Sequence, residues 1–362
     1  MPESFLLSRV LLRFNSKSSD LIIGDLSAAT ITPDGNLWVA SDELLSVERL
    51  SPIDSNVFAN HQQFPVADFV ELFNTEDEID IEGLDYSDNY LWLIGSHSTK
   101  RKKPKGKKAE KDIERLSEIK TDLNRYLLAR IPVVNGSLVK SGSLDDNPDE
   151  QLTAASLQKT SEGNLLIDAL AQDPHLGPII SISLPSKDNG LDIEGLAVHG
   201  NKIFLGLRGP VLRGWAIILE IEVELTTPGE LKLKAIGEEG ELYKKHFLDL
   251  NGLGVRELCL QGKDLIILAG PTMTLDGSMK VFRYKGALGH SGNTICTQDS
   301  GKLDILLELP LTFGADYAEG MELFPCLGYK DSLMIVYDSP SPQRRPNSKE
   351  VFADVFRLST PN

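Results

Sequence analysis

Two stretches of this chain repeat one another almost letter for letter. Asp80-Ile81-Glu82-Gly83-Leu84 leads to a turn at Ser87-Asp88-Asn89 and the apolar run YLWLIGS, and Asp192-Ile193-Glu194-Gly195-Leu196 leads to a turn at Gly200-Asn201 and the run KIFLGLRG. Two apolar runs joined by a tight polar turn read as a β-hairpin, and a hairpin that recurs marks a fold assembled from equivalent units. Alignment on the second strand adds three looser copies. SAATITPDGNLWVASDE puts Ala28 at the Glu position, GVRELCLQGKDLIILAG puts Arg256 there, and YAEGMELFPCLGYKDSLMIVYDS keeps the pair Glu319-Gly320.

The copies begin near residues 26, 80, 192, 254 and 317, spacings that suit four-stranded units, and the wide gap after the second has room for a degenerate sixth. Repeated meanders without a run of βαβ units predict an all-β chain, a β-propeller of five or six blades, because radial repetition lets each blade cover the next. Two packed sandwiches fit the length but not the recurring Glu-Gly. A single domain over 1–362 is expected, with a basic, partly helical insert over 98–124; helical patterns occur only at Ala109 to Asn124 and Leu165 to Ala171. Phe5 to Phe14 is expected to close the ring by joining the sheet of Val351 to Leu358.

If each first strand is innermost, its start and the end of the second strand share one edge, and that edge rims the channel. The rim then holds Asp80 with Glu82, Asp192 with Glu194, Arg256 with Glu257, and Glu319, joined by Asp42 with Glu43, Ser96 with His97, Arg208 and Asp338. Converging carboxylates need a cation, arginines among them, or raised pKa values. Glu82, Glu194, Glu319, Asp80 and Asp192 are the candidate metal ligands, and such hard oxygen donors favour Ca²⁺, then Mg²⁺ or Mn²⁺.

The chain has 37 basic and 53 acidic residues, net −16, yet Lys100 to Lys111 alone is +7, leaving −23 elsewhere. This basic run directly follows Ser96-His97, so it falls on the carboxylate face, as does the loop Gln343 to Lys349 after Asp338. Lys100, Arg101 and Lys102 with Arg208 and Arg256 are therefore candidates to bind a small anionic molecule beside the metal. His97 and Glu82 are the catalytic candidates, His97 as the base that activates water. A structural reading stands beside each: the Gly admits a neighbouring strand, the Glu accepts backbone N–H groups, Arg208 pairs with a rim carboxylate, and His97 packs in the core.

The acidic balance argues against nucleic acid, and no apolar run approaches the length of a membrane span. The N-terminus lacks the pattern of a signal peptide. Three cysteines without C-x-x-C spacing fit a reducing cytoplasm. Nucleotide-loop, Rossmann, α/β-hydrolase and zincin motifs are missing from the sequence.

Through DIEGL at 80–84, LWLIGSHSTKR at 91–101, IDALAQDPHL at 167–176, KDNGLDIEGL at 187–196 and LRGP at 207–210, the chain resembles a family of bacterial proteins, domain-of-unknown-function family 3616. More distantly, D-x-E-G before a strand is similar to blade openings of phytase-like and gluconolactonase-like propellers. That likeness implies acidic rim residues holding Ca²⁺ or another divalent ion, with Glu82, Glu194 and Glu319 as oxygen ligands. The sequence thus predicts a funnel that binds a divalent cation and a small anionic ligand, as a metal-dependent phosphoester or lactone hydrolase. The alternative is a non-enzymatic interaction propeller whose rim carboxylates are structural and whose rim docks a protein partner or an acidic ligand.

Overall fold

Runs such as Leu37 to Ala40 and Leu265 to Leu268 are apolar without alternation, the signature of strands buried on both faces. The computed structural model describes residues 5–15, 17–145, 147–237 and 239–358, and strands dominate them, with few and short helices. The five repeats form antiparallel hairpins: Leu26–Ile31 with Leu37–Ser41, Ile81–Ser87 with Tyr90–Gly95, Asp192–His199 with Lys202–Gly209, Gly254–Gln261 with Asp264–Gly270, and Tyr317–Leu323 with Ser332–Asp338. In the second, Asp88 and Asn89 both take left-handed φ values (51° and 67°), the conformation that matches a two-residue turn to strand twist.

Each hairpin extends outward into a sheet. The third strands are Ser46–Asp54, Leu128–Val134, Ala216–Thr227, Lys280–Tyr284 and Glu350–Arg357. The first strand of each hairpin packs beside its neighbours in cyclic order: Leu26–Ile31 against Ile81–Ser87, then Asp192–His199, Gly254–Gln261, Tyr317–Leu323, and back to Leu26–Ile31. The arrangement is propeller-like. No strand of the wide gap intervenes between Ile81–Ser87 and Asp192–His199, which touch directly. The gap instead carries outer strands, the short helices Leu165–Leu170 and Gly177–Ser181, and the basic insert.

The core lies between consecutive sheets. Trp38 and Ala40 pack with Leu91 and Leu93, while Leu37 and Val39, on the opposite face of the same strand, pack with Met334 and Val336 of the last hairpin. Leu265 and Ile267 likewise face Phe204 and Ile218, whereas Ile266 and Leu268 face Leu333 and Ile335. Trp38 and Trp92 are core residues. The N-terminal strand Phe5–Arg13 pairs with Glu350–Arg357 as expected, from Phe5 opposite Arg357 to Arg13 opposite Glu350, so chain start and chain end share a sheet.

The helical reading of 109–124 contracts to Ala109–Ser117, which buries no residue, before the chain returns as Ile119–Lys120 to pair with Lys100–Arg101. The 165–171 pattern forms Leu165–Leu170, capped by Asn164, whose side chain accepts the N–H of Leu166 and Ile167. Ser19–Gly24 and Gly177–Ser181 were not anticipated, being too short to show helical periodicity.

Candidate functional site

Every first strand carries a β-bulge at the same place. The pairing slips at Glu82, Glu194 and Arg256, at Glu319-Gly320, and at Ser27 in the first hairpin. A bulge inserts one unpaired residue and re-aims its side chain. Glu82, Glu194, Arg256, Glu319 and Ser27 therefore form one set of equivalent positions. Ser27, and not Ala28, stands where three other repeats have Glu and one has Arg256; the first hairpin's longer loop, Thr32 to Asn36, makes a count back from the second strand land one residue late. With that correction Asp25 becomes the equivalent of Asp80 and Asp192.

The glycine after the bulge is a packing requirement. A Cβ on Gly83 would lie 2.7 Å from Leu196 Cβ, one on Gly195 2.7 Å from Leu258 Cγ, and one on Gly320 2.9 Å from the Ala29 nitrogen. In each case the next first strand occupies the space.

The bulge carboxylates differ in their partners. Arg208 Nη1 donates to Glu194 Oε1 at 2.8 Å and lies 3.6 Å from Asp192 Oδ2, and its Nε donates to the Thr272 carbonyl at 3.1 Å. Arg256 bridges two repeats, with Nε 2.9 Å from Glu194 Oε2 and Nη2 bonded to Glu319 Oε1. Arg125 Nη1 sits 2.8 Å from Asp80 Oδ2 and its Nη2 donates to Glu78 Oε1 at 2.5 Å. Glu82 is buried and, among the described residues, has neither a hydrogen bond nor an ion pair. Burial, then Glu194, Asp80, Glu319 and Asp192, push its carboxyl well above the usual range.

Its surroundings share that tendency. Burial and Glu194 raise Asp192 to about 7 against the pull of Arg208. Asp42, whose Oδ1 is buried without a hydrogen-bond partner, is pushed up to about 8 by burial and by Asp80, Asp338, Asp25 and Glu43. Asp25 rises to about 6 through burial, Asp338 and Glu43, moderated by Lys103 and Arg345, which brings one residue from each basic loop to the carboxylate face.

The metal-ligand set proposed from sequence is altered by these arginines. Glu194, Glu319, Asp80 and Asp192 already face guanidinium groups, and among the described residues no group of three or more His, Cys, Asp or Glu side chains is arranged to hold a metal ion. The five carboxylates thus do not fit a calcium cage. Arg208 and Arg256, expected to bind an anion, are buried and compensated by carboxylates. Lys100 pairs with Glu78 and, at 3.1 Å, with Asp122; Arg101 lies 2.7 Å from Asp188; Lys102 pairs with Glu118. These three cations hold the base of the insert, leaving the exposed Lys103, Lys105, Lys107, Lys108 and Lys111 as the outward charge of the run.

His97 is committed to the framework. Its Nδ1 makes a 2.8 Å bond with the Gly95 carbonyl, which only an N–H there can form, and Asn164 Nδ2 donates to Nε2 at 2.8 Å. Burial holds its pKa down to about 4, so the ring is neutral, and neither nitrogen is free for a water. Sequence reasoning missed Arg125 and Glu78, which lie outside the repeat, and Asp25, which the one-residue misalignment concealed.

The family pattern described as a protein of unknown function, DUF3616, matches residues 25–354. The chain belongs to the DUF3616 family. No curated protein is significantly similar to this DUF3616 chain in sequence. Among solved structures it is similar to a streptogramin B lyase (11% identity, TM-score 0.36, covering 97% of this chain and 98% of that one). It is also similar to a putative gluconolactonase (12%, 0.39, 92% and 75%) and to a PQQ-bound aldose sugar dehydrogenase from Streptomyces coelicolor (11%, 0.39, 99% and 98%).

Proposed function

We propose that this DUF3616 chain is a single-domain, five-bladed propeller enzyme that performs proton transfer on a small anionic substrate above the bulge ring. The observation that carries the reading is Glu82: a buried carboxyl without ion pair or hydrogen bond, among equivalents that arginines neutralise. A carboxyl that burial and neighbouring acids make hold its proton more tightly than usual is suited to general acid work. Asp80, held by Arg125, supplies a neighbouring carboxylate to take a proton from the attacking water. Lys103, Lys105, Lys107, Lys108 and Arg345 draw the anion to the mouth by charge. Phosphoester or lactone hydrolysis fits this equipment.

A second reading rests on the buried, unpartnered Oδ1 of Asp42 beside Asp25 and Asp338. There a basic group of a partner protein would satisfy the free oxygen and relieve carboxyls that repel one another, and the chain would bind rather than catalyse.

Both readings are tested together. The wild-type chain is expected to hydrolyse p-nitrophenyl phosphate or δ-valerolactone, with Glu82→Gln lowering kcat/KM by about 100-fold or more. Turnover that survives in Glu82→Gln removes Glu82 from the chemistry. Folded protein that turns over neither compound selects the binding reading.

A further inference from the structure

Three residues beyond the bulge, the repeats place a second set on the same strands: Thr30, Asp85, Ala197, Cys259 and Glu322. A cavity of about 440 Å³ opens there, lined by residues of all five first strands or their turns, among them Thr30, Asp85, Val198, Cys259 and Glu322. A space bounded by five strands in cyclic order lies on their common axis. It is at the end opposite the bulge ring, beside the hairpin turns at Asp88 and Gly262.

The two ends of the axis are neutralised differently. At the bulge ring Arg125, Arg208 and Arg256 face the acids. Among the described residues no Lys or Arg contributes to the lining of the lower cavity, and the charges acting on Asp85 and Glu257 are that of Glu322 and, for Glu257, that of Asp85 as well. Glu257 is fully buried behind the wall. Its Oε1 accepts the N–H of Leu196 and of Leu258, at 3.1 and 2.8 Å, while its Oε2 is without a partner. It acts electrostatically on Cys259, which lines the cavity.

We propose that this lower mouth binds a compact organic cation, a primary diamine or a molecule of that chemistry. An ammonium suits the site better than a metal. Asp85 accepts Tyr86 N–H at 2.7 Å on one oxygen and Val198 N–H at 2.6 Å on the other, and Glu322 accepts Leu323 N–H at 2.6 Å and the Thr30 hydroxyl at 2.9 Å. These oxygens retain a lone pair for a hydrogen bond but are fixed by the strands and not gathered around one ion, and no metal-holding group occurs among the described residues. The volume also exceeds an ion's need, since one water takes about 30 Å³ of liquid.

Isothermal titration of the full chain with putrescine tests the proposal. A saturable, one-to-one heat is expected, with affinity at least about 10-fold weaker in Asp85→Asn and in Glu322→Gln, the loss expected for one charge-assisted hydrogen bond. Because both carboxylates also tie backbone groups, a second measurement uses the unaltered protein. Putrescine should slow thiomethylation of Cys259 by methyl methanethiosulfonate several-fold and leave Cys326 unaffected. Absence of a saturable heat, an unchanged Cys259 rate, or protection by calcium chloride where putrescine gives none, each overturns the proposal.

Discussion

Glu82, Glu194 and Glu319 occupy one repeat position, and their difference lies wholly in what faces them. Glu194 receives Arg208 and Arg256, so removing its charge leaves two buried guanidinium groups under-compensated. Breaking a buried pair in this way costs about 3–5 kcal/mol. Glu194→Gln is expected to destabilise the protein by an amount of that order, read from urea unfolding at pH 8. Glu82→Gln is expected to do the reverse, because the unfolded chain ionises this carboxyl freely while the fold resists it. A loss of stability in Glu82→Gln would mean that an unseen partner holds the carboxylate. Sequence reasoning recognised these acids as a set, but the arginine that answers each one comes from elsewhere in the chain.

At the scale of the element, the bulged first strand is the working part, and the glycine after it is where neighbouring strands meet. In Gly195→Ala the new Cβ would meet Leu258 Cγ at 2.7 Å and Val255 Cγ1 at 3.1 Å. Overpacking of this kind costs roughly 1–3 kcal/mol, and thermal unfolding should report it; an unchanged Tm would mean the strands separate easily. The insert behaves in the opposite way. Its helix Ala109–Ser117 buries nothing, so replacing residues 103–117 by Gly-Ser-Gly should leave Tm within about 2 °C while raising KM for an anionic substrate, since a change of about 1 kcal/mol moves Tm by roughly that much. A large fall in Tm would make the insert structural. The hairpins and their turns were legible in the sequence. The bulge was not, because a single extra residue leaves no mark on apolar patterning, and the longer first loop, Thr32 to Asn36, misaligned the first repeat by one.

The whole molecule has an acidic axis, and its stability should follow pH accordingly. Asp25, Asp42, Asp192 and Glu322 are raised to about 6, 8, 7 and 7, chiefly by burial. Above about pH 4 the unfolded chain has released these protons and the folded protein still holds them, so stability falls as pH rises toward 8. Glu220 works in the other direction. Although buried, it is lowered to about 2 by hydrogen bonds from His246, Lys244 and Lys202, and its contribution, present above about pH 4.5, is lost as pH falls through 2. Tm should therefore peak near pH 5 and decline by several degrees by pH 8, and Asp42→Asn should flatten that decline. A Tm that rises from pH 5 to pH 8 would contradict the raised carboxyls.

By itself the sequence determined the repeat, the all-β class and the sharing of one sheet by both ends of the chain. These are local or periodic properties, written in apolar runs, turn residues and spacing. Only the tertiary structure decided which acids are neutralised. The bond from Arg256 to Glu319 and that from Arg125 to Glu78 join residues far apart in the chain, and the pairing of His97 with Asn164 depends on the same kind of closure. A charge on a strand predicts a location, whereas its protonation, its partner and its availability depend on what the closed ring brings opposite.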